Sequence, residues 1–232
     1  MFVAILALGS PMHLRQCLLA SLLFLVPCAQ SGDRIVAPGE KFSGPILNLA
    51  APNSEGWKLM ASSSAGMTFG RSGTSSAESF IATVTPFALP EVQSKEDFMA
   101  MVKLGINADT SPERFKNTES TFEYSDQRGY PCVLYKASTE DTKAKTSFFS
   151  RSHLILQVQT LYCRLPNVEK MGFAASFSHR GATKVDDFDA QASDFIKDVQ
   201  VPTGEPNNRM ERQDSDKVPS PSVSAPGAHA ER

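Results

Sequence analysis

Alternating apolar and polar positions run through most of the chain, and a helical period appears in only two places. The strongest run covers residues 153–165, HLILQVQTLYCRL. Leu154, Leu156, Val158 and Tyr162 fall on one face, Ile155, Leu161 and Cys163 on the other, with Gln157 and Gln159 between them. Apolar character on both faces predicts a strand in the middle of a sheet. Shorter runs at 57–61, 67–71 and 78–85, parted by Ser- and Gly-rich turns, predict three more strands, the third ending at Pro86. Residues 117–124 alternate cleanly and predict a strand with one wet face, which a turn at 126–129 joins to a strand at 130–137. The polar stretch 138–145 (STEDTKAK) reads as a loop tip, and 146–149 as the start of the next strand. Residues 171–179 set Phe173, Phe177 and His179 against Gly172, Ala174, Ser176 and Ser178. The small-residue face predicts that the following helix lies close against it.

Two stretches carry the helical period. Ser94 is placed to cap a helix in which Phe98, Met101, Val102 and Ile106 recur on one face, and Gly105 weakens its last turn. Ser111-Pro112-Glu113 adds a short helical turn. Asp186, Asp187 and Asp189 favour the start of a second helix with Phe188, Ala192, Phe195, Ile196 and Val199 as its stripe, ended by Pro202. The order β-β-β-α-β-β-(β)-β-β-α predicts an α+β domain: one mostly antiparallel sheet with two helices. It occupies 56–201, after an irregular lead-in at 32–55 and before a tail at 202–232 whose composition predicts disorder.

The first 31 residues read as a secretory signal, with Met12-His13-Leu14-Arg15 as the basic region and CLLASLLFLV (17–26) as the apolar one. Residues 1–11 fit that scheme poorly, which points to Met12 as the initiator. Two processing routes stay open. Leu25-Val26-Pro27-Cys28 resembles a lipobox that would place a lipid on Cys28, although Pro27 sits where such boxes hold a small residue; ordinary cleavage after Ala29 or Ser31 is the other. Either route predicts a periplasmic or membrane-anchored protein.

Composition narrows the partners. Over 232 residues the formal charge is -2, which offers nothing to a nucleic acid, and a membrane would be met only through an N-terminal lipid. Export also changes the meaning of the cysteines. Cys17 leaves with the signal, and Cys132 and Cys163 remain as an even pair in strand-like runs. A cross-strand disulfide is one reading, and two separate buried thiols the other.

Catalytic patterns are sparse. Gly70-Arg71-Ser72-Gly73 lacks the spacing of a nucleophile elbow, the three aspartates of 186–189 lack the later ligands of a calcium loop, and no Cys/His pattern offers a zinc site. No cofactor or metal is expected. Arg164, His179 and Arg180 close two strand-like runs, and if those ends are neighbours they make a small anion or carboxylate site.

The runs YCRLP (162–166), GFAASFSHRG (172–181) and FIKDVQV (195–201) resemble a group of uncharacterised exported proteins and lipoproteins of proteobacteria, over roughly residues 55–201. The element order is also similar to the PsbP-like fold, named for a lumenal extrinsic protein of photosystem II. That resemblance implies an α/β/α sandwich used as a non-catalytic binding or assembly module, with an envelope protein or a small ligand as its partner. The alternative is an envelope hydrolase or small-anion-binding enzyme that uses Arg164, His179 and Arg180.

Overall fold

The computed structural model describes residues 33–64, 66–145, 153–166 and 168–202. The expected signal segment with Cys28, the strand expected at 146–149 and the tail from 203 lie outside these residues. Ten strands and two helices follow in order: β1 (Arg34–Ile35), β2 (Lys41–Ser43), β3 (Asn48–Ala50), β4 (Lys58–Ser63), β5 (Gly66–Ser72), β6 (Ser79–Ala88), α1 (Lys95–Asp109), β7 (Phe115–Ser125), β8 (Cys132–Lys145), β9 (His153–Arg164), β10 (Met171–Gly181) and α2 (Phe188–Lys197). Eight strands make one antiparallel sheet in the order β1-β4-β5-β6-β10-β9-β8-β7, and β2 and β3 form a separate ribbon. The class is α+β, with the sheet dominant.

Two up-and-down runs, β4-β5-β6 and β7-β8-β9-β10, meet where β10 pairs with β6. Helix α1 lies on the connection between the runs and carries the chain from the sheet's middle to its far edge. Its start is set locally: the Ser94 hydroxyl accepts the Asp97 N–H at 3.1 Å, which satisfies one of the orphan donors of the first turn.

Strand alternation divides the core between the two faces. One cluster gathers Phe69, Ala82, Cys163, Phe173, Phe177 and the α2 stripe of Phe188, Ala192, Phe195 and Ile196. The other gathers Val133, Tyr162, Phe87 and the α1 residues Phe98 and Val102. Cys163 and Tyr162 are neighbours on β9, and adjacent strand residues point to opposite sides. The helices therefore cover opposite faces.

The helix does not take the small-residue face of β10. Phe177 stacks against Phe188 (5.7 Å between centroids) and Phe195 (6.2 Å), so α2 packs on the large face. Burying two aromatic surfaces against each other removes far more apolar area from water than a Gly/Ala/Ser row permits. The small residues instead take up in-sheet contacts: Ser176 bonds the Thr160 hydroxyl at 2.8 Å, and Gly172 leaves room for the Phe87 ring.

Three expectations about boundaries change. Residues 138–145 are strand, not a loop tip, because β8 is paired on both sides: Ser138 faces Gln157 of β9 and Glu119 of β7. Strand β6 passes through Pro86 to Ala88, where β5 no longer accompanies it and a missing N–H breaks no ladder with that neighbour. The lead-in holds β1, β2 and β3, and its Val36, Leu47, Leu49 and Ala51 are core residues. Alternating side chains identify a strand only when one face is apolar, and these short pieces are too brief for that pattern.

Cys132 and Cys163 are disulfide-bonded and lie directly opposite each other in the β8–β9 register, 4.1 Å apart at Cα. Both are buried under α2. The bridge closes a 31-residue separation. In the chain-entropy model it contributes about 3–4 kcal/mol by restricting the unfolded chain. Denaturant unfolding of a Cys132→Ala, Cys163→Ala double variant should lose about that amount; equal stability with and without the bridge would refute it.

Candidate functional site

The β5–β6 turn builds one wall of a surface groove. Strand β5 ends at Ser72 and β6 begins at Ser79, with Gly73 N–H donating to the Glu78 carbonyl at 3.0 Å to close the turn. Between this turn and the starts of β1 and β4 lies a groove of about 710 Å³, whose walls include Lys58, Met60, Arg71, Ser72, Glu78 and Phe80.

Arg71 occupies one wall. Its guanidinium lies 4.3 Å from the Phe80 ring centre and 5.3 Å from that of Trp57. Its Nη1 donates to Ser54 Oγ at 3.2 Å, an oxygen that also accepts the Trp57 indole N–H at 2.9 Å. Burial lowers the guanidinium's proton affinity, opposed by the charges of Glu78 and Asp187. It remains a cation. The longest contact, 3.5 Å from Nη2 to Gln191 of α2, ties the groove wall to the helix. Gly56, at φ +84°, sits beside the arginine stem where the backbone must turn left-handed.

Glu78 occupies the other wall and reaches inward. Its Oε2 accepts the N–H and hydroxyl of Thr74 at 2.7 and 2.9 Å, and its Oε1 stands 3.0 Å from His179 Nε2. The Thr74 backbone bond leads, followed by the Thr74 hydroxyl, in holding this carboxyl below its ordinary 4.5, with the His179 contact adding to them against the cost of burial.

A second charged cluster lies on the α1 side of the sheet. Asp141 is fully buried on β8 and takes a two-pronged contact from Arg114, Nε to Oδ1 at 2.8 Å and Nη2 to Oδ2 at 2.6 Å. The N–H groups of Lys143 and Ala144 donate to Oδ1, each at 3.2 Å. Arg180 Nε is 3.5 Å from Oδ2, near enough for charge attraction but without a hydrogen bond. Burial pushes the Asp141 carboxyl up, yet the Arg114 hydrogen bonds and the two guanidinium charges outweigh it and leave it below 3.8.

The structure separates the three residues expected to share a site. Arg164 pairs with Gly172 at one end of β10, and Arg180 with Leu156 at the other. Eight residues of extended chain set them roughly 26 Å apart. His179 and Arg180, being adjacent on β10, point to opposite faces: His179 to the α2 side and Glu78, Arg180 to Asp141. Arg164 is exposed beside a small pocket of about 170 Å³ with Ser94, Lys95 and Tyr124. Strand ends in an antiparallel pair lie at opposite ends of the sheet, so Arg164 on β9 and Arg180 on β10 cannot meet. A convergent Arg164–His179–Arg180 enzyme site is thereby lost.

Sequence reasoning missed Arg71, Glu78 and Asp141. Glu78 stood at a strand start and Asp141 inside an apparent polar loop; a lone acid in either place carries no local signal of burial. Among the described residues no group of three or more His, Cys, Asp or Glu side chains is arranged to hold a metal ion.

Both depressed carboxyls link stability to pH. Each contributes above the unfolded-state carboxyl values, near 4, and the contribution is lost as pH falls through the lower folded values. Asp141→Asn should lower stability by about 1.5–3 kcal/mol near neutral pH. The gap to the unaltered chain should narrow on acidification, as followed by urea unfolding across pH; a gap that stays constant would contradict the ion-pair account.

No protein-family model matches the chain, and no curated protein matches it.

Proposed function

We propose that the chain is an exported cell-envelope protein that works by binding, with the groove between Arg71 and Glu78 as the surface that receives a small ligand or an envelope partner. The groove is the observation that carries this reading. Its walls are positioned before any ligand arrives: Arg71 is held by Ser54, Gln191 and two rings, and Glu78 by Thr74 and His179. Pre-positioned polar groups around a concavity lose little freedom on binding, which is what a recognition surface requires. The buried Cys132–Cys163 bridge supports export, since such bonds persist in oxidising compartments. Helices on opposite faces of one antiparallel sheet support the PsbP-like α/β/α reading of the architecture, and with it a binding or assembly role.

Photo-crosslinkers placed at Ser72 and Met60 in the native envelope should capture a ligand or partner that one placed at exposed Leu104 on α1 does not. Ser72→Trp at the groove's rim should then weaken the captured complex at least ~10-fold, about 1.4 kcal/mol. Equal capture at all three positions, or recovery of the protein with free thiols from the cytoplasm, would sink the proposal.

A further inference from the structure

Arg180 closes β10 on the α1 side of the sheet, and the protein does not use up its charge. Asp141 is the one carboxylate in ion-pair range of it among the described residues. That carboxylate is already satisfied without Arg180. Arg114 gives it two N–H groups, at 2.8 and 2.6 Å, and the Lys143 and Ala144 amides give two more, each at 3.2 Å. One buried negative charge is thus matched by one guanidinium and two backbone donors. Arg180 approaches Oδ2 only through Nε, at 3.5 Å and without a hydrogen bond. The cluster of Arg114, Asp141 and Arg180 therefore holds one positive charge in excess.

The surplus cation is only partly in water. Arg180 Nε is buried with no hydrogen-bond acceptor among the described residues, while the side chain as a whole is 37% exposed. A desolvated N–H without an acceptor is costly, and in native folds it marks a place where a water, an ion or a function meets it. The neighbours suit an anion. Ser79 of β6 stands directly opposite Arg180 in the register and shares its face, which brings a hydroxyl alongside. Leu156 of β9 flanks the other side, and Ser178 lies two residues back on the same face. None of these carries negative charge. Glu78, next to Ser79 in the chain, reaches the opposite face and His179. Arg114 spends Nε and Nη2 on Asp141, which leaves its Nη1. Ser79 also lines the groove, so the two surfaces adjoin.

We propose that Arg180, with Ser79 and Arg114 beside it, is an oxyanion site that takes one carboxylate or phosphate group through the outer, Nη edge of the Arg180 guanidinium. A guanidinium fork meets two oxygens of such a group at once, and a single oxyanion offsets the one charge left over in the cluster. Arg164, at the far end of β10, and His179, on the opposite face, take no part. The site stands whether or not the groove receives a ligand.

Titrating the full-length chain with sodium phosphate, sodium acetate and sodium chloride tests the site, with the arginine Nε–H signals followed by nitrogen-15 NMR. The Arg180 signal should shift saturably with phosphate, acetate or both, and the tighter of the two names the group. Chloride, a spherical anion that cannot span the fork, should produce no such saturation. Arg164, at the other end of the sheet, should follow ionic strength alone. Arg180→Lys keeps the charge and loses the fork, so it should weaken binding of the tighter anion at least ~10-fold, read from the Ser79 and Ser178 amides. Three results would overturn the site: an Arg180 signal that phosphate and acetate move no more than chloride does, the same saturation at Arg164, or equal binding by Arg180→Lys. The first two need no variant, so they decide the matter even where a substituted chain does not fold.

Discussion

Strand β10 is hydrogen-bonded along nearly its whole length to β6 on one side and β9 on the other, and it alone joins the two halves of the sheet. Its register decides which side chains reach which core. Phe173, Ala175, Phe177 and His179 face α2, while Ala174, Ser176, Ser178 and Arg180 face the other way. A slip of one residue would exchange the two sets, leaving the phenylalanines without α2 and turning His179 away from Glu78. The apolar half of the row is what makes that slip costly. Phe177 touches Trp57, Phe80, Phe188 and Phe195, so one ring ties together the entry to β4, β6 and both ends of α2.

The same register places the polar chemistry. His179 follows Phe177 by two positions and so shares its face, at the sheet's end where the β5–β6 turn supplies Glu78. Arg180, one position on, meets the buried Asp141 with Arg114. Two adjacent residues thus serve two polar clusters on opposite sides of one sheet, Glu78 on one and Asp141 on the other. Buried pairs of this kind define a single arrangement of their elements more than they add net stability, because desolvation offsets much of the attraction.

The disulfide and the α2 cap act on the other half of the molecule. Cys132–Cys163 clips β8 to β9 beneath α2, and Arg128, from the β7–β8 turn, donates to the carbonyls of Val199 and Ile196 at 2.6 and 2.8 Å. Those carbonyls lie at and just past the helix C-terminus, where the Ile196 carbonyl also accepts the Val199 N–H at 3.3 Å. The end of α2 is therefore held by the same corner of the sheet that carries the bridge.

Element type, and much of the pairing, was legible from residue order. Two-sided apolar character marked β9 as interior, Ser94 marked the start of α1, the Phe188–Val199 stripe marked α2, and two cysteines in strand-like runs proved to be bonded partners. These features depend on local period and on capping, which act within a few residues. What residue order left undecided was long-range. Polar 138–145 became strand because neighbours on both sides supplied its hydrogen bonds; α2 chose the large face of β10 because aromatic burial outweighs close approach. Arg164 and Arg180 fell at opposite ends of the sheet because antiparallel pairing sets the end of one strand beside the start of the next. Glu78 met His179, 101 positions away, only because β6 pairs with β10. A local pattern shows which face a side chain takes; its partner is decided by which strand lies alongside, and only the folded sheet determines that.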